Sequence, residues 1–200
     1  MRRHLAAAAL AGLVIFAGVA GAEERPAHYV LTPESRFEVR TGRGGLLGSV
    51  AHNHVIRAES FDGAMDYDPA RPGASHFEIT VLVDSLRVVS PADSTDRDRI
   101  RETMLTRVLD PARDPTIHFE SRRAEEMDGG LRVTGDLTLA GKTRSVTVDL
   151  TLREEPGRLV ARGGFSIRQS DFGIRPYRAA LGTIRVADSV TFDVEAVGVE

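Results

Sequence analysis

Two histidines separated by one residue, His52 and His54, are the sharpest chemical signal in the chain. In an extended segment positions i and i+2 share a face, so both imidazoles could reach one metal ion. His118 is a third residue of the right type, but nothing in the sequence brings it near, and no completing carboxylate is identifiable. Two ligands fall short of the three or four that zinc sites use. The plainer reading is a polar, hydrogen-bonding pair beside an opening of the fold. A metal-dependent enzyme using His52 and His54 is therefore kept as the alternative, with no metal site assigned.

Other chemistries are easier to set aside. The chain has no cysteine, which removes disulfides, thiolate metal sites, a catalytic thiol and the lipid-modified cysteine of a bacterial lipoprotein. No G-x-S-x-G elbow is present, so a serine nucleophile has no support. The glycine-rich stretch from Gly42 to Gly48 lacks the lysine and the strand-to-helix context of a phosphate loop. No catalytic residue and no cofactor is assigned. A cluster of Arg168, Asp171, Phe172, Arg175, Tyr177 and Arg178 could line a mouth, with arginine engaging a phosphate-like head group. As an ordinary solvated loop it needs no ligand.

The elements that must position these groups read mostly as strands. Leu131 to Leu152 is the clearest. Leu131, Val133, Leu137 and Leu139 alternate with polar residues, and after Ala140-Gly141 the alternation resumes at Val146, Val148, Leu150 and Leu152. A two-residue loop there sets Val133 opposite Val148 and Leu131 opposite Leu150; a one-residue slip would turn an apolar face outward. The same register places Arg144 opposite Leu137 and Lys142 opposite Leu139, a second place for a head group if the turn borders an open end. Further strands are expected at Tyr29 to Leu31 with Ser35 to Arg40 (bent at Pro33), Val55 to Tyr67, His76 to Asp84, Thr116 to Ala124, Leu159 to Arg168 and Asp188 to Val199. Gly163-Gly164 is expected to bend its strand sharply.

Between Ser85 and Pro115 the period changes. Ile100, Met104, Leu105, Val108 and Leu109 form a stripe at helical spacing, with Thr95 and Asp98 resembling a capping box and Pro111 a stop. About eight antiparallel strands with one inserted amphipathic helix, over about residues 95–109, suggest an all-β closed barrel. Closure leaves no strand edge exposed.

Arg2, Arg3 and His4 precede an apolar run from Leu5 to Val19 and the small residues Ala20-Gly21-Ala22. This reads as a signal peptide, residues 1–22, cleaved after Ala22, ahead of a single domain over 23–200. The run falls under the roughly 20 apolar residues of a membrane span. Its removal takes two arginines and no acids from 26 basic and 29 acidic residues, moving the net charge from −3 to −5. A mildly acidic exported domain, periplasmic or secreted, gives no electrostatic reason to bind nucleic acid.

Four short motifs stand in order along this pattern. Phe61-Asp62-Gly63, Pro115-Thr116-Ile117-His118-Phe119-Glu120-Ser121, Gly135-Asp136-Leu137-Thr138-Leu139 with Gly141-Lys142-Thr143, and Ser170-Asp171-Phe172-Gly173-Ile174 resemble the motifs of the YceI-like family of bacterial exported proteins. The resemblance runs from about Tyr29 to Val199. The family's R-D-x-H-L element is present only in part, as Arg97-Asp98-Arg99-Ile100 or Arg99-Ile100-Arg101-Glu102, without the histidine. The resemblance implies a lipocalin-like barrel whose apolar interior holds an isoprenoid or fatty chain.

Burying one five-carbon isoprene unit supplies roughly 4 kcal/mol gross at about 0.8 kcal/mol per methylene-sized group. A few units would offset association costs that can reach about 15 kcal/mol. The expected channel is lined by Phe61, Met65, Phe77, Ile79, Val81, Phe119, Val133, Val148, Phe165, Phe172 and Phe192, with His52, His54, Arg168, Arg175 and Tyr177 at its mouth. Small inward residues, Gly63, Gly135, Ala161 and Gly163, are expected to leave the channel open, unless they only relieve strand bending. The partner expected is a long-chain apolar small molecule, with no nucleic acid, no membrane span and room for a homodimer. The alternative without a ligand is a secreted stress-response or interaction protein.

Overall fold

Alternating apolar residues on successive antiparallel strands oblige the sheet to curl around its one apolar face, and it does so until it closes. The computed structural model describes residues 25–44, 53–90, 93–179 and 184–200. Their strands are β1 (Ala27–Leu31), β2 (Arg36–Gly44), β3 (Val55–Ala58), β4 (Phe61–Tyr67), β5 (His76–Leu82), β6 (Leu86–Val88), β7 (Thr116–Met127), β8 (Gly130–Leu139), β9 (Lys142–Glu155), β10 (Arg158–Arg168), β11 (Arg178–Ala179) and β12 (Ile184–Val199). The circuit β1-β4-β5-β7-β8-β9-β10-β12 returns to β1, making a closed eight-strand antiparallel barrel. β2, β3 and β6 continue the wall from the far part of β12.

The β8–β9 hairpin has the expected register, with Val133 opposite Val148, Leu131 opposite Leu150, Leu137 opposite Arg144 and Leu139 opposite Lys142. Its loop places both Ala140 (φ 49°) and Gly141 (φ 68°) in the left-handed region, as the tightest hairpin turns require.

Four expectations are corrected. The segment from Val55 to Tyr67 is two strands, β3 and β4, broken at Glu59-Ser60, because β3 pairs with β2 and β6 while β4 pairs with β1 and β5. The region from Ser85 to Pro115 also contains the short strand β6. Gly163-Gly164 does not break β10, which runs continuously; a side chain at Gly163 would strike the Asp149 carbonyl, so glycine here permits close strand approach. The helix α1 (Ser94–Met104) is capped by Asp93, whose carboxylate accepts from the Asp96 N–H at 2.8 Å, instead of by Thr95. It runs into a π-helical turn, Leu105–Leu109, ended by Asp110 at φ 49°. Its stripe is confirmed: Met104, Leu105 and Leu109 are buried, with Ile100 and Val108 half-buried.

The core has two parts. One centres on Tyr29, Met65, Leu131, Val133 and Leu159, each at most 2% exposed. The other lies under α1 and the short 3-10 turn Gln169–Phe172, and includes Val83, Leu86, Met104, Leu139, Phe172 and Ile174.

Candidate ligand-binding site

Where the two parts of the core meet, the barrel is not filled. A cavity of about 100 Å³ is walled by Phe37 and Val39 of β2, Ile56 of β3, Ile79 of β5, Ile117 and Phe119 of β7, Phe165 of β10 and Phe192 of β12. All eight face inward by strand parity and all remain only half-buried. Met65, Phe77, Val148, Leu150, Ala161 and Ala196 form its floor, and Val81, Leu86 and Leu137 its roof. Phe165 and Phe192 are opposite each other across β10 and β12, with stacked rings 4.9 Å apart. Glu38 and Asp193 are the charged residues on its boundary, and Arg57 (2.7 Å) and Arg40 hold them in ion pairs. The interior therefore offers dispersion and desolvation, with no acid, base or nucleophile aimed into it.

The glycines do not hollow this space. A Cβ at Gly63 or Gly163 would collide with a carbonyl of the neighbouring strand. At Gly135 it would lie 2.6 Å from the Phe119 ring and 2.5 Å from the Glu120 carbonyl, so glycine makes room for that ring. The opening is set by half-buried aromatic and isoleucine side chains, and of the four small residues expected to open it Ala161 is the one that lines it.

Of the expected lining, Met65, Phe77, Ile79, Val81, Phe119, Val148, Phe165 and Phe192 border the cavity. Val133 is fully buried in the floor cluster, and Phe172 is packed among Met104, Leu109 and Ile174; neither borders the cavity. Phe61 faces a neighbouring polar cleft and meets Phe37 edge-on. Phe37, Val39, Ile56, Ile117, Leu137, Leu150 and Val194 were not among the expected lining, although inward parity alone marks several of them.

Of the expected mouth residues, His54, Arg168, Arg175 and Tyr177 do not border the cavity. Arg168 reaches Asp188 at 3.2 Å, and Asp188 also accepts from the Ser170 hydroxyl (2.6 Å) and N–H (2.8 Å). These bonds, the hydroxyl first, hold the Asp188 carboxyl below its usual range. The cluster is thus a tied loop. Arg175 is exposed, and the Tyr177 carbonyl accepts from the Val186 N–H. Arg144 donates to the Thr143 carbonyl, and the Lys142 amine lies over Gly173. His54 has its ring 3.4 Å from the Ser90 hydroxyl, and its backbone bonds to Thr41. His52 lies outside the described residues. His118 faces outward, with Nδ1 3.0 Å from Thr80 Oγ1. Among the described residues no group of three His, Asp or Glu could hold a metal ion.

At the floor, burial pushes the Tyr29 phenol above its usual value, with the Glu154 carboxylate adding to it.

A closed antiparallel barrel around an apolar cavity defines a lipocalin-like architecture. The chain belongs to the YceI-like domain family, whose model matches residues 32–197. A UPF0312 protein of Pseudomonas aeruginosa is 27% identical over 187 residues, covering 88% of each chain. One from Azotobacter vinelandii is 28% identical over 182 residues, with the same coverage. Among solved structures, Burkholderia cenocepacia BcnA superposes with a TM-score of 0.67 at 20% identity, covering 84% of this chain and 98% of BcnA. A polyisoprenoid binding domain from Saccharophagus degradans, implicated in plant cell wall breakdown, gives 0.61 at 12% identity, covering 87% and 98%. At these identities the structural neighbours attest the fold. Among the described residues no helix is long and apolar enough to cross a membrane.

Proposed function

We propose that this protein is an exported, non-catalytic carrier that sequesters an isoprenoid or other long-chain lipid inside its barrel. The observation that carries the reading is the cavity itself: eight aromatic and aliphatic side chains point into the barrel and stay half-buried. Leaving apolar surface unburied forgoes about 25 cal/mol per Å² of stabilisation, which a bound apolar chain would recover. Membership of the YceI-like family and a structural neighbour described as polyisoprenoid-binding point the same way. The amino-terminal run from Leu5 to Val19, ahead of Ala20-Gly21-Ala22, supports export to the periplasm or beyond.

Native mass spectrometry, with lipid extraction of protein purified from its own host, tests the reading. An apolar-tailed molecule in about one-to-one ratio is expected. A homogeneous lipid-free protein that also takes up no isoprenoid or fatty chain in solution would contradict it.

A further inference from the structure

The barrel wall has a seam. β1 pairs with β4 from Ala27↔Tyr67 to Val30↔Ala64 and ends there. At Thr32–Ser35 the chain turns away, and the Ser35 hydroxyl bonds both the carbonyl (3.1 Å) and the N–H (2.9 Å) of Val197. β2 then continues along β12 and pairs with β3, so among the described residues no ladder joins β2 or β3 to the first residues of β4. Among the described residues the edge of β4 at Phe61–Gly63 has β5 on one side and no strand on the other. An unpaired edge must be wet or covered.

At this seam the structure holds a second, polar cleft of about 510 Å³, lined by Thr32, Glu34, Arg36, Arg57, Glu59 and Ser60 among others. Ala58 lines both the cleft and the apolar cavity. Between them stands one aromatic contact: Phe37, a cavity wall residue, meets Phe61, a cleft wall residue, edge-on at 4.9 Å. A T-shaped pair of rings contributes about 0.5–1.5 kcal/mol beyond the area it buries, and both rings here are only half-buried. The apolar cavity, at about 100 Å³, is well below the roughly 300–1,000 Å³ of pockets that enclose drug-sized ligands. A long chain therefore needs more room than the cavity holds at rest.

We propose that the seam between β2 and β4 is the portal for the ligand, gated by the Phe37–Phe61 pair. The apolar tail passes between the rings into the barrel, and the polar head stays in the cleft. This rests on the carrier reading and adds to it the route and the position of the head group. The cleft carries Glu34 and Glu59 against Arg36 and Arg57. Glu34, Glu59 and Arg57 are already paired, with Arg158 (2.6 Å), Arg87 (3.3 Å) and Glu38 (2.7 Å). The cleft is thus polar without a strong net charge, suited to keeping a head group hydrated.

The test is stopped-flow binding of cis-parinaric acid, an 18-carbon fluorescent fatty acid. The variants are Phe61→Ala, Phe61→Leu as the milder truncation, and Ser60→Cys before and after capping with a polyethylene-glycol maleimide. Because the natural chain has no cysteine, Ser60→Cys supplies a single thiol at an exposed position on the cleft wall. Truncating Phe61 is expected to raise the association and dissociation rates several-fold together. Capping is expected to slow association at least tenfold against the uncapped variant. Association rates indifferent to both changes, with binding intact, would overturn the portal alone. Absence of binding by the natural protein and every variant would overturn the carrier reading and the portal with it.

Discussion

The two halves of the barrel interior use the same residue types to opposite ends. In the floor, Met65, Val133 and Leu159 are 0% exposed and Leu131 and Ala161 are 1% exposed; nothing there is left to fill. In the other half Ile79, Phe119, Phe165 and Phe192 face the same interior and remain half-buried around open space. Close packing is the rule for protein interiors, so a retained apolar void in one half needs an explanation the other half does not. On the carrier proposal, the floor supplies stability and the half above it takes the ligand.

Truncations separate those roles. Leu159→Ala removes fully buried atoms from a site that cannot collapse, and is expected to destabilise by about 3 kcal/mol. Thermal or urea unfolding would register this, the first as a fall in Tm of roughly 10 °C. Gly135→Ala acts at the boundary. Its new methyl group meets the Phe119 ring and the Glu120 carbonyl, and is expected to cost about 2 kcal/mol. It should also weaken uptake of a fatty-chain probe severalfold, because Phe119 borders the cavity. Ile117→Ala enlarges space that is already open and is expected to cost about 1 kcal/mol while changing probe affinity. Equal losses of stability for Leu159→Ala and Ile117→Ala would erase the distinction between the halves.

Much of the fold was legible where the pattern is local. The β8–β9 register followed from period-two alternation on both sides of Ala140-Gly141, and the stripe of α1 from helical spacing. The break between β3 and β4 was hidden because Glu59-Ser60 is two residues long, which keeps Val55 and Phe61 in the same apparent parity. β6 is three residues long and carries no periodic signal. Gly163-Gly164 was misread because the carbonyl that forbids a side chain at Gly163 belongs to β9, another strand. The candidate site divides in the same way. Inward parity found eight of its lining residues, but Phe61 and Phe172 are positioned by tertiary packing, and the seam exists only because distant strands fail to pair. The mouth cluster around Arg168 looked available for a head group because its partner, Asp188, lies 20 residues away.

The most direct measurement is methyl NMR on isoleucine-labelled protein titrated with farnesol, a 15-carbon isoprenoid alcohol. Ile56, Ile79 and Ile117 border the cavity, whereas Ile167 and Ile174 are buried in the same core cluster without bordering it. The expected result is saturable shifts of the first three methyl groups, with those of Ile167 and Ile174 nearly still. Shifts confined to Ile167 and Ile174, or none at any farnesol concentration, would contradict a ligand site in this half of the barrel.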